Sequence, residues 1–239
     1  MMEGRFLSSE ENARYERQIP LASVGEEGQQ KLKRSSVLVI GAGGLGSPVL
    51  LYLAAAGVGH LGIVDDDVVS LGNLNRQILY GADDLGKPKA ACAVARLRAL
   101  NPHCEVTCYT ERLVAANAEK LISQYDLLVD ATDNLPTRYL IDEVCGKLSV
   151  PFVYGSVSEN SGHVAYFPCD GGTSYSDLFP YTPAVEQFEG SRLVLGAHVG
   201  MVGSMQAMVA LKALLGHPVL AHTLMTIDTD AMNFMKIRV

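Results

Sequence analysis

The densest chemistry in this chain lies where an apolar strand runs into glycines, Val37-Leu38-Val39-Ile40-Gly41-Ala42-Gly43-Gly44-Leu45-Gly46. Glycines let a backbone approach phosphates closely, and the helix start that follows offers unpaired N–H groups and the positive end of a dipole. Asp65, in Ile63-Val64-Asp65-Asp66-Asp67, stands about twenty residues further on, the spacing at which a carboxylate accepts from a ribose hydroxyl. Asn73-Leu74-Asn75-Arg76-Gln77 comes next, and Lys89 shortly after it. Cations in those places suit a triphosphate that is cleaved better than a dinucleotide that is only held.

The elements that must carry these groups follow from the hydrophobic pattern. Strands are expected at Ser36–Ile40, His60–Val64, Glu105–Tyr109, Leu127–Asp130 and Phe152–Ser156, with helices at Leu45–Ala56, Lys89–Ala99, Ala116–Gln124 and Pro136–Lys147. This alternation implies βαβ units, a parallel sheet and helices on both faces. Gly41, Asp65 and Asp130 then emerge at the carboxyl ends of strands, where such sheets bind ligands. An amphipathic N-terminal helical segment occupies 1–34. A stretch rich in Gly, Ser, Thr, Tyr and Pro, about 168–195, reads as a long crossover loop. A Gly-interrupted apolar helix, Ala197–Leu215, precedes short strands at Thr223–Asp228 and Asn233–Arg238. The expected fold is α/β: one Rossmann-like, doubly wound, mostly parallel sheet over 1–239, extended by antiparallel strands at its C-terminal end.

Taken in order, these motifs resemble the ThiF/MoeB/HesA family, bacterial relatives of the ubiquitin-activating enzymes. The resemblance starts at Arg14-Tyr15-Glu16-Arg17-Gln18-Ile19 and runs through the glycine turn and Asn73–Gln77. It continues in Gly86-Lys87-Pro88-Lys89, Asn101-Pro102, Asp130-Ala131-Thr132-Asp133-Asn134 and Gly203-Ser204-Met205-Gln206-Ala207. It implies an ATP- and Mg2+-dependent adenylyltransferase that converts a carboxylate to acyl-AMP and releases pyrophosphate. Such a reaction needs phosphate charge neutralised and the reactants aligned. By the resemblance, Arg17, Arg76, Lys89 and Asp133 form the catalytic set, with Arg17 reaching across a homodimer into a shared active site and Asp133 holding magnesium.

The nucleotide candidates are Gly41, Gly43, Gly44, Gly46, Asp65, Asp67, Asn73, Asn75, Arg76, Lys89, Asp133 and Asn134. Several site candidates have plainer explanations. A solvated helix face would account for Arg17, but Arg14-Tyr15-Glu16-Arg17-Gln18 matches the family position for position and favours the functional role. Asp66 reads as solvated filler. Lys89 opens a helix, where the dipole favours anions, so it calls for a phosphate nearby; Lys87 is its competitor. Asp130 ends a strand and reads as a partner for nearby backbone. Asp133 and Asn134 precede a helix with Pro136 in its first turn, which is also how ordinary caps look.

Two departures from the family pattern stand out. Most relatives hold a structural zinc with two Cys-x-x-Cys pairs. Here Ser174 and Asp177 occupy the first pair's positions, and no Cys follows Cys169, so no zinc is expected. The crossover segment Gln187–Arg192 has no cysteine for thioester or acyl-disulfide chemistry, leaving Cys169 as the sole candidate thiol.

Composition narrows the alternatives. With 239 residues, 48% hydrophobic and 19% charged, the chain can bury one good-sized core. A net charge of −7 disfavours nucleic acid and anionic membranes as partners. No apolar run accompanies Glu3, Arg5, Glu10 and Glu11, so neither a leader nor a membrane segment is expected and the location is expected to be cytoplasmic. Five scattered cysteines do not form a disulfide framework. The expected substrate is the C-terminal Gly-Gly carboxylate of a ubiquitin-like sulfur-carrier protein, as in thiamin or molybdopterin-type biosynthesis. A small-molecule or peptide carboxylate is the alternative, with His163, Tyr166 and the Tyr175–Tyr181 loop available to line a pocket. An NAD-dependent dehydrogenase leaves Arg17, Arg76 and Lys89 unexplained, and a catalytically silent scaffold need not keep them.

Overall fold

The computed structural model describes residues 7–182 and 193–239. Its described residues form an eight-stranded sheet in the order β3-β2-β1-β4-β5-β6-β7-β8. The strands are β1 (Ser36–Ile40), β2 (His60–Val64), β3 (Glu105–Tyr109), β4 (Leu127–Asp130), β5 (Phe152–Ser158), β6 (Ser161–Phe167), β7 (Thr223–Asp228) and β8 (Asn233–Arg238). β1 to β5 pair in parallel, and β5 to β8 continue antiparallel. The helices are α1 (Ser9–Arg14), α2 (Gly25–Arg34), α3 (Gly46–Ala56), α4 (Lys89–Leu100), α5 (Ala115–Ile122), α6 (Leu135–Leu148), α7 (Tyr175–Leu178) and α8 (Gly196–Leu214). No helix among the described residues is long and apolar enough to cross a membrane.

Both faces of the parallel strands are covered, so β1 reads as a nearly unbroken apolar run rather than an alternation. Val37 and Val39 pack with apolar residues of α3, α4 and α8, whereas Leu38 and Ile40 face α5 and α6. Gly203 lets α8 approach α3: a Cβ there would sit 2.5 Å from the Leu45 carbonyl oxygen. Gly200, one turn earlier on the same helix, faces open space within 4 Å.

Register sets the site. Ile40 pairs with Val64 and Asp130, Val64 with Tyr109, and Asp130 with Tyr154. Four strands, β1 to β4, therefore end on one line while β5 runs on past it to Ser158, and Gly41, Asp65 and Ala131 are the next residues beyond it. The switch in strand order falls between β1 and β4, the place where a doubly wound sheet leaves a crevice.

The N-terminal segment sits at the opposite edge. The Asn101 side chain donates to the Tyr15 hydroxyl and to the Ala54 carbonyl, and Gln18 and Gln29 donate to the Ala56 carbonyl. Ala54 and Ala56 end α3, eleven residues long, which has by then run the depth of the sheet away from the glycine turn.

Three features differ from expectation. β6 lies where no strand was read, joined to β5 through a tight turn at Glu159–Asn160, with Glu159 at φ +53. The crossover stretch contains the single-turn α7; residues 183–192, including the Gln187–Arg192 segment, lie outside the described residues. α1 ends at Arg14, so Arg17 stands beyond the helix rather than on its face.

Candidate active site

The glycine turn is built tightly. Gly41 adopts φ +94, in the left-handed region, and its N–H donates to the Val64 carbonyl at 2.8 Å. A Cβ on Gly41 would meet the Ala131 carbonyl oxygen at 2.7 Å, and one on Gly46 would meet the Gly41 carbonyl at 2.0 Å. The turn thus presses against the loop leaving β4. A Cβ on Gly43 would meet only the Gln77 amide, at 3.6 Å, and one on Gly44 would meet Val199 and the Arg76 stem.

Asp65 holds this turn to the end of β2. Its Oδ2 accepts the Ala42 N–H at 2.7 Å and its Oδ1 accepts the Asp67 N–H at 2.9 Å. Burial pushes the Asp65 carboxyl above the ordinary aspartate range, against the pull of these two donors and of Lys89. Tyr80 closes the other side by donating its hydroxyl to the Ala42 carbonyl at 2.7 Å.

Lys89 has an anion beside it that the sequence did not announce. Its Nζ donates to Asp67 Oδ2 at 2.9 Å, and the ammonium-bearing side chain is only 6% exposed. Its backbone N–H also donates to the Asp67 carbonyl. The mismatch between a cation and a helix start is thereby balanced internally, and any phosphate would join a pair already formed. Asp66 instead meets Arg112 at 3.2 Å, both exposed, an arrangement of little energetic weight.

Arg76 is placed differently. Its Nη1 donates to the Gly72 carbonyl at 2.8 Å and the Asn75 side-chain oxygen at 3.0 Å, and no carboxylate pairs with it among the described residues. Asn73 is spent on a cap, its side chain accepting the Ser70 N–H. Asn134 caps α6, its Oδ1 accepting the Thr137 N–H at 3.1 Å. The cap is therefore Asn134, and the neighbouring Asp133 is exposed, with no hydrogen bond or ion pair to its carboxylate among the described residues. A cavity of about 550 Å³ lies beside it, lined by Leu113, Val114, Asp133, Asn134, Pro136 and Leu140 among others.

Arg17 does not join these groups in its own chain. Its guanidinium is 96% exposed, with Glu16 at 3.7 Å, and it lies with the segment packed at the opposite edge of the sheet. Two contributors escaped the sequence reading. Tyr80 offered only an aromatic in an apolar run. Gln206, within a motif that had no role attached, donates to the Asp130 carbonyl at 2.7 Å from a slot over Gly155.

Ser174 and Asp177 are bonded to one another in a reciprocal cap. The Asp177 carboxylate accepts the Ser174 N–H and hydroxyl, the Ser174 hydroxyl accepts the Asp177 N–H, and Asp142 caps the same turn through Tyr175 and Ser176. Burial pushes the Cys169 thiol up to about 12, with Asp142 and Asp170 adding to the effect, which makes it a poor nucleophile.

Comparison with known proteins matches the family described as ThiF family over residues 15–239. A sulfur carrier protein adenylyltransferase of Thermus thermophilus is 46% identical over 242 residues, covering 97% of this chain and 89% of that protein. An adenylyltransferase and sulfurtransferase MOCS3 of Drosophila sechellia is 44% identical over 236 residues, covering 98% of this chain. The present chain spans about half of that relative, 52% of its length. The crystal structure of PaaA shares the fold, with a TM-score of 0.85 at 23% identity, covering 98% of this chain and 75% of that one. The family match takes in the glycine turn, Asp65, Arg76, Lys89 and Asp133, and on that extent the chain belongs to the ThiF family.

Proposed function

We propose that residues 1–239 act as one adenylation unit that uses ATP to activate the C-terminal Gly-Gly carboxylate of a ubiquitin-like sulfur-carrier protein. The observation that carries this reading is the convergence on one sheet edge of a closed glycine turn, a carboxylate fixed at its side, and charged groups around it. The names of the Thermus and Drosophila relatives support the reaction class, and the former supports the carrier substrate.

Asp65 would receive the ribose hydroxyls, and the cavity beside Asp133 has the size and apolar lining to take a base. Arg76 and Lys89 would offset the charge of the triphosphate, with Gly43 leaving room for it. The carrier's carboxylate oxygen attacks the α-phosphorus, the bond from that phosphorus to the bridging oxygen breaks, and pyrophosphate departs. No proton moves, so orientation and charge are what the protein contributes. Magnesium fits Asp133, a single exposed carboxylate without an internal partner, since Mg2+ favours one or two carboxylates plus phosphates; when bound it would neutralise phosphate charge. Arg17, at the far edge of its own chain, reaches a site only through a second copy, in line with a shared homodimeric site.

The test is ATP–pyrophosphate exchange with a Gly-Gly-tailed carrier, before and after removing the tail. Tail-dependent exchange supports the reading, and exchange with a small carboxylic acid alone replaces the substrate. Mixing inactive Arg17→Ala with inactive Asp133→Asn tests sharing. A C2 dimer with a shared site recovers about a quarter of the wild-type rate, and independent sites recover none.

A further inference from the structure

The loop after β4 carries a buried ion pair that the proposed chemistry leaves unused. Asp130 is 1% exposed and the Arg138 side chain 12%. As a stabilising bridge the pair is poorly made: Arg138 Nε lies 3.9 Å from Asp130 Oδ2, and neither atom has a hydrogen-bond partner among the described residues. A buried pair in that state costs desolvation without full return.

What the two side chains do well is hold Thr132. Asp130 Oδ1 accepts the Thr132 N–H at 3.0 Å and the Thr132 hydroxyl at 2.7 Å. From the other side, Arg138 Nη2 donates to the Thr132 carbonyl at 3.0 Å, while its guanidinium carbon lies 5.4 Å from the centre of the Tyr154 ring. Gln206 fixes the Asp130 carbonyl, and the Ala131 N–H donates to Ile40. On the far side of Asp133, Asn134 is committed to its cap. The backbone is thus pinned before and after Asp133, and only the Asp133 carboxylate is left unheld.

We propose that Arg138 is a positioning residue: with Asp130 it clamps Thr132 and so fixes where Asp133 presents its carboxylate to the divalent cation of the nucleotide. This rests on the adenylation reading. Arg138 touches neither cation nor nucleotide in this scheme, and it acts as an outer-shell residue acts on a metal ligand.

Mn2+ binding in the presence of a non-hydrolysable ATP analogue, followed by electron paramagnetic resonance, reads the clamp without turnover. AMP affinity in chelator reports separately that the fold and the ribose site are intact. Arg138→Met is expected to weaken Mn2+ binding about tenfold at unchanged AMP affinity. Arg138→Lys, which keeps one donor for the Thr132 carbonyl, should fall between it and wild type. Unchanged Mn2+ affinity in Arg138→Met would overturn the proposal. If Arg138→Met loses AMP binding as well, Thr132→Val decides: weaker Mn2+ at intact AMP affinity supports the clamp, and unchanged Mn2+ refutes it. Should Asp133→Asn bind Mn2+ like wild type, the clamp has nothing to aim and the proposal fails. Pyrophosphate exchange by the wild type reports independently on adenylation itself.

Discussion

Two sets of polar groups share the carboxyl edge of the sheet and are held in opposite ways. The turn after β1 is satisfied from within: Ala42 gives its N–H to Asp65 and its carbonyl to Tyr80, Gly41 bonds to Val64, and Lys89 lies against Asp67. Arg76 and Asp133 have no such closure. Arg76 rests on exposed donors to Gly72 and Asn75, and the Asp133 carboxylate meets no partner among the described residues. The contrast separates shape from charge. The part proposed to fit a nucleoside is already closed on itself by these bonds, which in that scheme lowers the ordering cost of binding. Of the two cations proposed to meet phosphates, Lys89 is already paired with Asp67, and Arg76 is the one left without a carboxylate partner among the described residues.

The largest effect should come from the uncommitted side. Arg76→Ala is expected to lower carrier-dependent pyrophosphate exchange by about 10²–10³-fold, as removal of a charge-stabilising group at a reacting centre does. Its melting temperature should stay near wild type, because exposed contacts of this kind carry within about 0.5 kcal/mol. Parallel loss of melting temperature and activity would mean that Arg76 holds structure, and the division between the two sets would fall.

How far the sequence alone could see this depends on which physical signal each part carries. β1, β2 and β4 are buried on both faces, so their apolar runs bounded by Gly and Asp mark them clearly. β6 is harder: Gly162 and His163 interrupt its pattern, and its partner across the turn is set by Glu159 in a left-handed conformation rather than by an Asn-Gly signal. α7 was legible in the spacing of Ser174 and Asp177, a reciprocal cap, although those two positions enter the sequence reading only as replacements for zinc thiolates. In the site, the glycine turn, Asp65 and Arg76 could be placed from spacing. Which of Asp133 and Asn134 caps α6 could not be, since both residue types cap equally well and only the Asn134 bond to Thr137 separates them. Asp67 beside Lys89, Tyr80 on Ala42 and Arg138 on Thr132 join residues across 22, 38 and 6 positions with no periodicity to announce them.

A middle-sized effect sharpens the comparison through pH. Burial holds the Asp65 carboxyl above its ordinary value of 3.8, so the folded chain keeps that proton more tightly than the unfolded one. The stability this lends is present below the unfolded value and is lost as pH rises through the raised one. In the proposed scheme nucleotide binding runs the other way, because ribose hydroxyls would donate to the ionised form of Asp65. AMP affinity measured by calorimetry should therefore fall as pH drops through the raised value, by about tenfold per unit below it. In Asp65→Asn that slope should vanish and affinity should be low throughout. A slope that survives the substitution would assign the pH dependence to another group.

The smallest effect tests whether the turn is held from within. Tyr80→Phe removes only the hydroxyl that donates to the Ala42 carbonyl and leaves the ring in place. The cost in unfolding free energy should be about 1 kcal/mol, the usual net worth of one buried neutral hydrogen bond. Asp65 still holds the Ala42 N–H, so the turn keeps its shape and the exchange rate should change little. A rate loss comparable to that of Arg76→Ala at an unchanged melting temperature would put the Tyr80 hydroxyl among the catalytic groups. The turn would then be a part that also waits for its ligand, and the separation of shape from charge would have to be drawn elsewhere on the sheet edge.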